Sequence, residues 1–363
     1  MILFIVALLI ISMINIRIAP KNGFFKDDYM NKNQTTAIKG IFAVLIIFLH
    51  SLSYIELKSN FLNNTYSILL HLLGQLLVTC FFFYSGYGIM ESYKRNKNYF
   101  KSFPLNRILK TLISYDFVIV IYIIYNLIVG NSNSNWLPSL FALGSIGIGG
   151  WFVFAILVSY IIIYIGYLIF KSPKKITLFS FIMTLVYCIV VALVMKQKNL
   201  QYNYYINTIF CLPVGLLYSL YKDKIENFVF NNKHYYLTLF SVMASFVLVF
   251  AVQRFIIEDK EPLYLIYNLC SILFVFLIVL ITMKVKISNP ILLFLGKYSF
   301  GIYILQKLSM MIVSKNITTN PIIFTLLVLS MTILLSFLVF SGINTLWKIV
   351  FKKKTGIENN KCN

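Results

Sequence analysis

The chain has three histidines, His50, His71 and His234, and only His50 lies inside an apolar run, KGIFAVLIIFLHSLSYI. An ionisable side chain is costly in such a run and marks a candidate functional group. Lys39 opens the same run eleven residues earlier. On an α-helix that spacing is about three turns plus roughly 20°, so the two side chains share a face about 16 Å apart along the axis. A cation at the mouth of a helix and an imidazole further in would suit a long, thin, phosphorylated donor. The charge would hold the phosphate end and the imidazole would meet the reactive end. A neutral imidazole can take the proton of a hydroxyl, which is what acyl transfer to a sugar requires. The same pair also fits a plainer reading, with Lys39 as an interfacial anchor and His50 as a hydrogen-bonded packing residue. His71 opens an outer helix end and fits the interface; His234 stands at a helix start, where a solvated or capping role suffices.

These residues need a membrane around them. Of 363 residues, 60% are hydrophobic and 12% charged, which does not fit a soluble surface. The formal charge of +21 could suggest nucleic acid, but the Lys and Arg residues sit in short runs between apolar stretches. Membrane topology explains that distribution and argues against a nucleic-acid partner. Cys80, Cys188, Cys211 and Cys270 lie in apolar runs and Cys362 in the tail, with no metal-ligand spacing, so neither a disulfide framework nor a metal site is expected. The opening stretch to about Ala19 lacks a charged start and a small-residue cleavage site, so it reads as a retained anchor.

A span needs about 20 apolar residues. Candidate helices run near 1–19, 39–56, 68–90, 108–130, 151–170, 175–195, 203–220, 235–254, 263–283, 290–314 and 321–349. The helix near 203–220 is interrupted by Asn203, Asn207 and Pro213, a pattern that faces protein or water rather than lipid. Alternate loops differ sharply in basic residues. One set holds Arg17, Lys21, Lys26, Lys32 and Lys39, then Lys94 to Lys110, Lys171 to Lys175, Lys222 to Lys233, Lys284 and Lys286, and Lys348 to Lys354. The other holds only Lys58, Lys196, Lys198, Arg254, Lys260 and Lys315. The positive-inside rule then sets the N-terminus outside and the C-terminus in the cytoplasm. The loop Gly130 to Gly150, rich in Asn, Ser and Gly, fits an entrance or a plain connector equally well. The Lys/Asn/Ile bias points to an AT-rich bacterial genome.

Several segments, taken in order, resemble the membrane acyltransferase 3 family, whose members O-acylate carbohydrates and other exported acceptors from acyl-CoA. Lys39 and His50 match the family's Arg or Lys, ten residues, then His. FFFYSGYGIMES, from Phe81 to Ser92, resembles its FF-x-x-SG helix end, and FPLNRILKTLISY carries basic residues three apart at Arg107 and Lys110. GGWFVFAILVSY resembles its W-F/Y helix start and LGKYSFGIYILQ its LG-x-x-S-x-x-I-Y-L segment. Two departures stand out. Lys39 replaces the commoner Arg, which keeps charge but loses the planar fork, and Gln306 stands where many relatives have a second His.

The resemblance implies an all-α polytopic transmembrane bundle with a ten-helix core, here preceded by one extra helix. Residues 1–35 would be an anchor and basic cytoplasmic loop, 36–350 the acyltransferase domain, and 351–363 a basic cytoplasmic tail. It implies His50 as catalytic base, with Lys39, Arg107 and Lys110 gathering the phosphates of acyl-CoA, acetyl-CoA by expectation, at the cytoplasmic face. No metal is expected. The acceptor would be a hydroxyl of a surface polysaccharide or its lipid-linked saccharide precursor. Ser85, Gly86 and Gly88 fit helix packing or the path of the donor, Glu91 a pairing with a nearby cation, and Tyr298, Ser299 and Tyr303 either the acceptor side or interfacial packing. A transporter or flippase of a lipid-linked saccharide is the main alternative; it would favour two related halves with broken helices, and no half-repeat is seen. A polysaccharide polymerase would favour a sizeable outer loop with acidic or arginine-rich motifs, and none is present.

Overall fold

The computed structural model describes residues 1–20, 23–25, 29–130, 136–143, 149–198, 203–256, 263–316 and 320–355. Lys21, Lys26, Lys260, Cys362 and the stretches 131–135 and 144–148 of the candidate entrance loop lie outside the described residues. The described residues form a helical bundle whose only strands are Arg17–Ile18 (β1) and Val285–Lys286 (β2).

At its centre is Lys32–Ser51 (α2), where 61% of the apolar window is buried, against 6% for the span Asn232–Phe255. That contrast separates a core helix from one turned to lipid. Asn31 starts α2 by accepting the Gln34 backbone N–H at 2.8 Å, an N-cap that satisfies a donor the helix itself cannot. The Gln34 side chain then donates to Val285 O at 3.1 Å and accepts from Ile287 N at 2.9 Å, which ties the helix start to β2. Around α2 stand Phe61–Leu73 (α3), Leu76–Arg95 (α4), Pro290–Lys297 (α13), Ser299–Asn316 (α14) and Pro321–Thr355 (α15). Beyond them Lys110–Ile128 (α5) packs on Gly150–Phe170 (α7) and α7 on Pro173–Gln197 (α8), while Cys211–Val229 (α10) packs on α4, α8, Asn232–Ala251 (α11) and Leu263–Lys284 (α12). Trp136–Leu140 (α6) and Asn203–Ile206 (α9) are short connecting helices.

The eleven expected spans are not all present as such. Among the described residues, eight helices are long and apolar enough to cross a membrane, or nine if one bent pair counts as a single span. The expected first span shortens to Ile2–Met13 (α1), 12 residues or about 18 Å of helix, less than the ~30 Å of hydrocarbon. Beyond it Asn15 takes φ 58°, and the chain pairs as β1 with β2, Arg17 opposite Lys286. The helix expected over 203–220 is broken between α9 and α10, and α10 carries Lys222, Asp223, Lys224 and Glu226. The helix expected over 290–314 bends by 73° between α13 and α14. Finally, α2 begins at Lys32 and ends at Ser51 rather than running over 39–56, so Lys39 stands two turns inside it and His50 in its last turn.

The basic loops gather on one face of the bundle. Besides the β1–β2 pairing, Tyr29 and Tyr218 share a hydrogen bond of 2.6 Å, Lys284 donates to Asn232 Oδ1 at 3.0 Å, and Lys94 donates to Ser219 O at 2.8 Å. Burial, then the neighbouring Tyr218 and Glu226, pushes the Tyr29 hydroxyl up in pKa, so it serves as a neutral clamp. Glu91 pairs with Lys94 at 2.6 Å, as expected of it.

Helix pairs close on glycines. A Cβ on Gly86 would overlap the Leu212 carbonyl oxygen, and one on Gly215 would overlap the Phe83 carbonyl oxygen, so α4 and α10 meet backbone to backbone. Gly296 meets the Thr36 carbonyl in the same way and seats α13 on α2, whereas a Cβ on Gly88 would meet nothing within 4 Å. Substituting Gly86→Val should therefore lower stability by roughly 1–3 kcal/mol or more, because backbone cannot yield as a side chain does, while Gly88→Ala should be silent. Thermal unfolding of the detergent-solubilised protein measures both, and equal effects would contradict the packing account.

Candidate functional site

On α2 the side chains of Lys39, Ala43, Ile46 and His50 succeed one another at helical spacing and form a stripe along one face. Ala43 and Ile46 are buried, and Ile46 and His50 line a cavity of about 600 Å³. That volume lies in the range of small-molecule sites. Its other walls include Asn63, Asn64, Ser67 and His71 of α3, Gly74 and Gln75 at the α3–α4 junction, and Trp151, Tyr204 and Tyr303. The amino group of Met1 reaches Asn63 Oδ1 at 3.2 Å, so the start of the chain lies beside this cavity, on the face opposite the basic loops.

His50 Nδ1 is buried without a hydrogen-bond partner, and so is Gln306 Oε1. The two side chains interact, which places the Gln306 carboxamide against the imidazole. Gln306 is fully buried, and its Nε2 donates to Tyr303 O at 2.8 Å, which turns its oxygen away from that carbonyl. The LGKYSFGIYILQ segment delivers both residues: it crosses the α13–α14 bend and carries Tyr303 into the cavity and Gln306 beneath it. The GGWFVF segment has an equally local reason. Gly149 adopts φ 92° at the start of α7, where a Cβ would overlap the Tyr303 ring, and two residues on Trp151 enters the cavity.

Nearer the other end of the stripe lie the cations. Arg107 stands on a π-helical turn, Pro104–Leu109, directly before α5. Such turns are uncommon and favour functional sites because they re-aim a side chain. Arg107 is close enough to both Lys39 and Lys110 to act on each electrostatically, so three residues expected to act together do converge. The convergence comes from this turn and its packing rather than from regular α-helical spacing of Arg107 and Lys110. Arg107 Nε donates to Tyr99 Oη at 3.1 Å and also meets Tyr160, whose hydroxyl shares a 2.7 Å hydrogen bond with Ser85. Lys110 Nζ sits 5.8 Å from the centre of the Trp347 ring. Among the described residues none of these three cations pairs with a carboxylate; the ion pairs there involve Glu91 and Glu226. Uncompensated like charges held together make an anion site.

Ser85 thus belongs to the cationic end and not to His50, and Tyr298 donates or accepts a 3.2 Å bond with Ser341 in helix packing, whereas Tyr303 faces the cavity. His71 is exposed, its Nδ1 2.8 Å from Ser67 O, on the rim of the same cavity; His234 stacks on Phe228 with ring centres 5.0 Å apart. Sequence reasoning missed Tyr99, Tyr160 and Gln75. The first two are hidden among abundant aromatics, and Gln75 has no motif around it; an amide at a helix break inside an apolar stretch was the available signal.

The family model described as "Acyltransferase domain" matches residues 34–341. No curated protein and no solved structure matches the chain. The match takes in α2 through most of α15, and with it the His50 cavity and the cation cluster. The chain therefore belongs to the membrane acyltransferase 3 family.

Proposed function

We propose that this membrane acyltransferase moves an acyl group, acetyl by expectation, from cytoplasmic acyl-CoA to a hydroxyl of a surface polysaccharide or its lipid-linked precursor. The observation that carries the reading is the stripe on α2, with clustered cations toward one end and an imidazole in a cavity at the other. Lys39, Arg107 and Lys110 would bind the phosphates of the donor. Its pantetheine arm is an extended chain that could bring the thioester along the ~16 Å between Lys39 and His50.

In this reading His50 takes the proton of the acceptor hydroxyl as its oxygen attacks the thioester carbonyl carbon. The tetrahedral intermediate then breaks its carbon–sulfur bond, the ester remains on the acceptor, and the imidazolium returns its proton to the leaving thiolate. Positive charge develops on a ring in the last turn of α2, where the negative end of the helix dipole favours it. Gln306 Oε1 is the acceptor available to an Nδ1–H, which would leave the Nε2 lone pair for the hydroxyl proton. Replacing Gln306 with Leu should reduce turnover by about 10-fold and shift its pH profile, with Gln306→His restoring part of the loss. An unchanged pH profile would remove Gln306 from this role.

Sidedness tests the reading as a whole. In sealed membrane vesicles, labelled acetyl-CoA should support transfer when supplied to the face bearing Arg107 and Lys110, and the acetylated acceptor should appear on the face bearing His71. Transfer that requires donor on the His71 face would overturn it.

A further inference from the structure

The segment between α9 and α10, where Asn203, Asn207 and Pro213 interrupt the expected helix and the chain breaks, is stitched to α12 by polar side chains. Asn268 Nδ2 donates to Ile206 O at 2.8 Å and Asn268 Oδ1 accepts from Phe210 N at 3.3 Å. Ser271 Oγ donates to Asn207 O at 3.4 Å. Broken backbone inside a membrane bundle persists only where such partners satisfy the freed groups. The break has a product: it projects the Asn207 side chain, itself buried, onto Gln75.

Asn207 Nδ2 donates to Gln75 Oε1 at 2.9 Å. An amide whose oxygen is engaged by a donor has its orientation decided, so the Gln75 NH2 must point the other way. Gln75 Nε2 is buried and has no partner, and Gln75 lines the cavity that holds His50. A donor that a second residue has oriented, and that is left unsatisfied at a cavity wall, is a ligand-binding group awaiting an acceptor atom. The rest of the wall says what kind of molecule carries that atom. Among the described lining residues there is no Asp, Glu, Lys or Arg; Asn63, Asn64 and Ser67 supply neutral polar groups, and the rings of Trp151 and Tyr204 lie 6.4 Å apart at 39°. The amino group of Met1 at the rim is engaged by Asn63. Tilted aromatic rings receive the apolar face of a sugar, and amides read its hydroxyls; a carboxylate or phosphate beside Gln75 would find no Lys or Arg among the described lining residues, the Met1 ammonium being held away at Asn63.

We infer that Gln75, oriented by Asn207, is the hydrogen-bond donor that holds an uncharged, hydroxyl-bearing sugar unit of the acceptor beside His50. The inference rests on the proposed acyl transfer for the placement of the acceptor, and it is tested apart from that reaction. With the full chain reconstituted in lipid nanodiscs, saturation-transfer NMR should detect methyl β-D-glucopyranoside and not methyl β-D-glucuronide. The signal should persist in His50→Ala, which stops acylation, and disappear in Gln75→Glu, which keeps size and the bond from Asn207 but replaces the NH2 donor with an acceptor. Asn207→Asp accepts where Asn donates, so it turns the Gln75 amide over and should act alike. In turnover assays both variants should raise the half-saturating acceptor concentration by about tenfold or more, with turnover at saturation nearly kept. Glucuronide bound as well as glucopyranoside, glucopyranoside not bound at all, or glucopyranoside bound equally by Gln75→Glu would overturn the inference. Acylation retained in His50→Ala, with the Gln75 effects intact, would instead overturn the reading of His50 and leave the sugar site standing.

Discussion

His50→Ala should abolish acylation of the acceptor while the protein still inserts and folds. The expected loss in turnover is about 10²–10⁴-fold, the usual contribution of a positioned general base. Folding should survive because what the imidazole leaves behind is the neutral carboxamide of Gln306, and the ring lines a cavity wall rather than filling close-packed core. The comparison to make is O-acetylation of the cell-surface polysaccharide in a deletion strain complemented with wild type or with His50→Ala, with membrane levels of the protein measured in parallel. Product at wild-type level from His50→Ala would end the general-base assignment. His50→Gln sharpens the test, since it retains hydrogen bonding near the cavity but cannot accept and return a proton at neutral pH, and it should be as inactive as His50→Ala.

The second large effect is on the donor side. Arg107→Ala should raise the KM for acetyl-CoA by roughly 10- to 100-fold, the equivalent of about 1.5–3 kcal/mol for a hydrogen bond to a charged group. Lys39→Gln and Lys110→Gln should each do less. Arg107 ranks first because it acts on both other cations and Tyr99 and Tyr160 hold it in place, whereas Lys110 lies over the Trp347 ring. Arg107→Lys should recover only part of the affinity, having lost the planar fork and the Nε bond to Tyr99. Stability moves the other way. Three like charges with no carboxylate partner among the described residues repel one another in the empty protein, so Lys39→Gln should leave the thermal midpoint of the donor-free protein unchanged or higher while it weakens donor binding. Steady-state kinetics with varied acetyl-CoA and a melting curve decide the point. A lower midpoint with unchanged KM would make Lys39 a structural anchor, the plainer reading its position in the sequence also allowed.

By itself the sequence determined the solvent, the class of fold and one dimension of the site. Hydropathy identifies a membrane bundle because every apolar stretch must meet lipid or protein, and the Lys39 to His50 spacing defines a helical stripe because helix geometry is local. Apolar runs do not say where backbone hydrogen bonding stops. Ile14 to Ala19 reads as more helix, yet the chain leaves α1 at Met13 and its backbone bonds elsewhere, Ala19 N to Lys284 O at 2.8 Å among them. The 73° bend between α13 and α14 is invisible to hydropathy for the same reason, whereas Asn203, Asn207 and Pro213 do mark the interruption between α9 and α10 without saying what satisfies its backbone. What only the tertiary structure decided is which distant side chains meet. Arg107 reaches Lys39 because a π-helical turn and the packing of α5 aim it there, and Asn207 orients Gln75 across 132 residues of chain. Contacts of that separation depend on how helices close upon one another, through glycines such as Gly86 and Gly215, and no spacing along the chain encodes them.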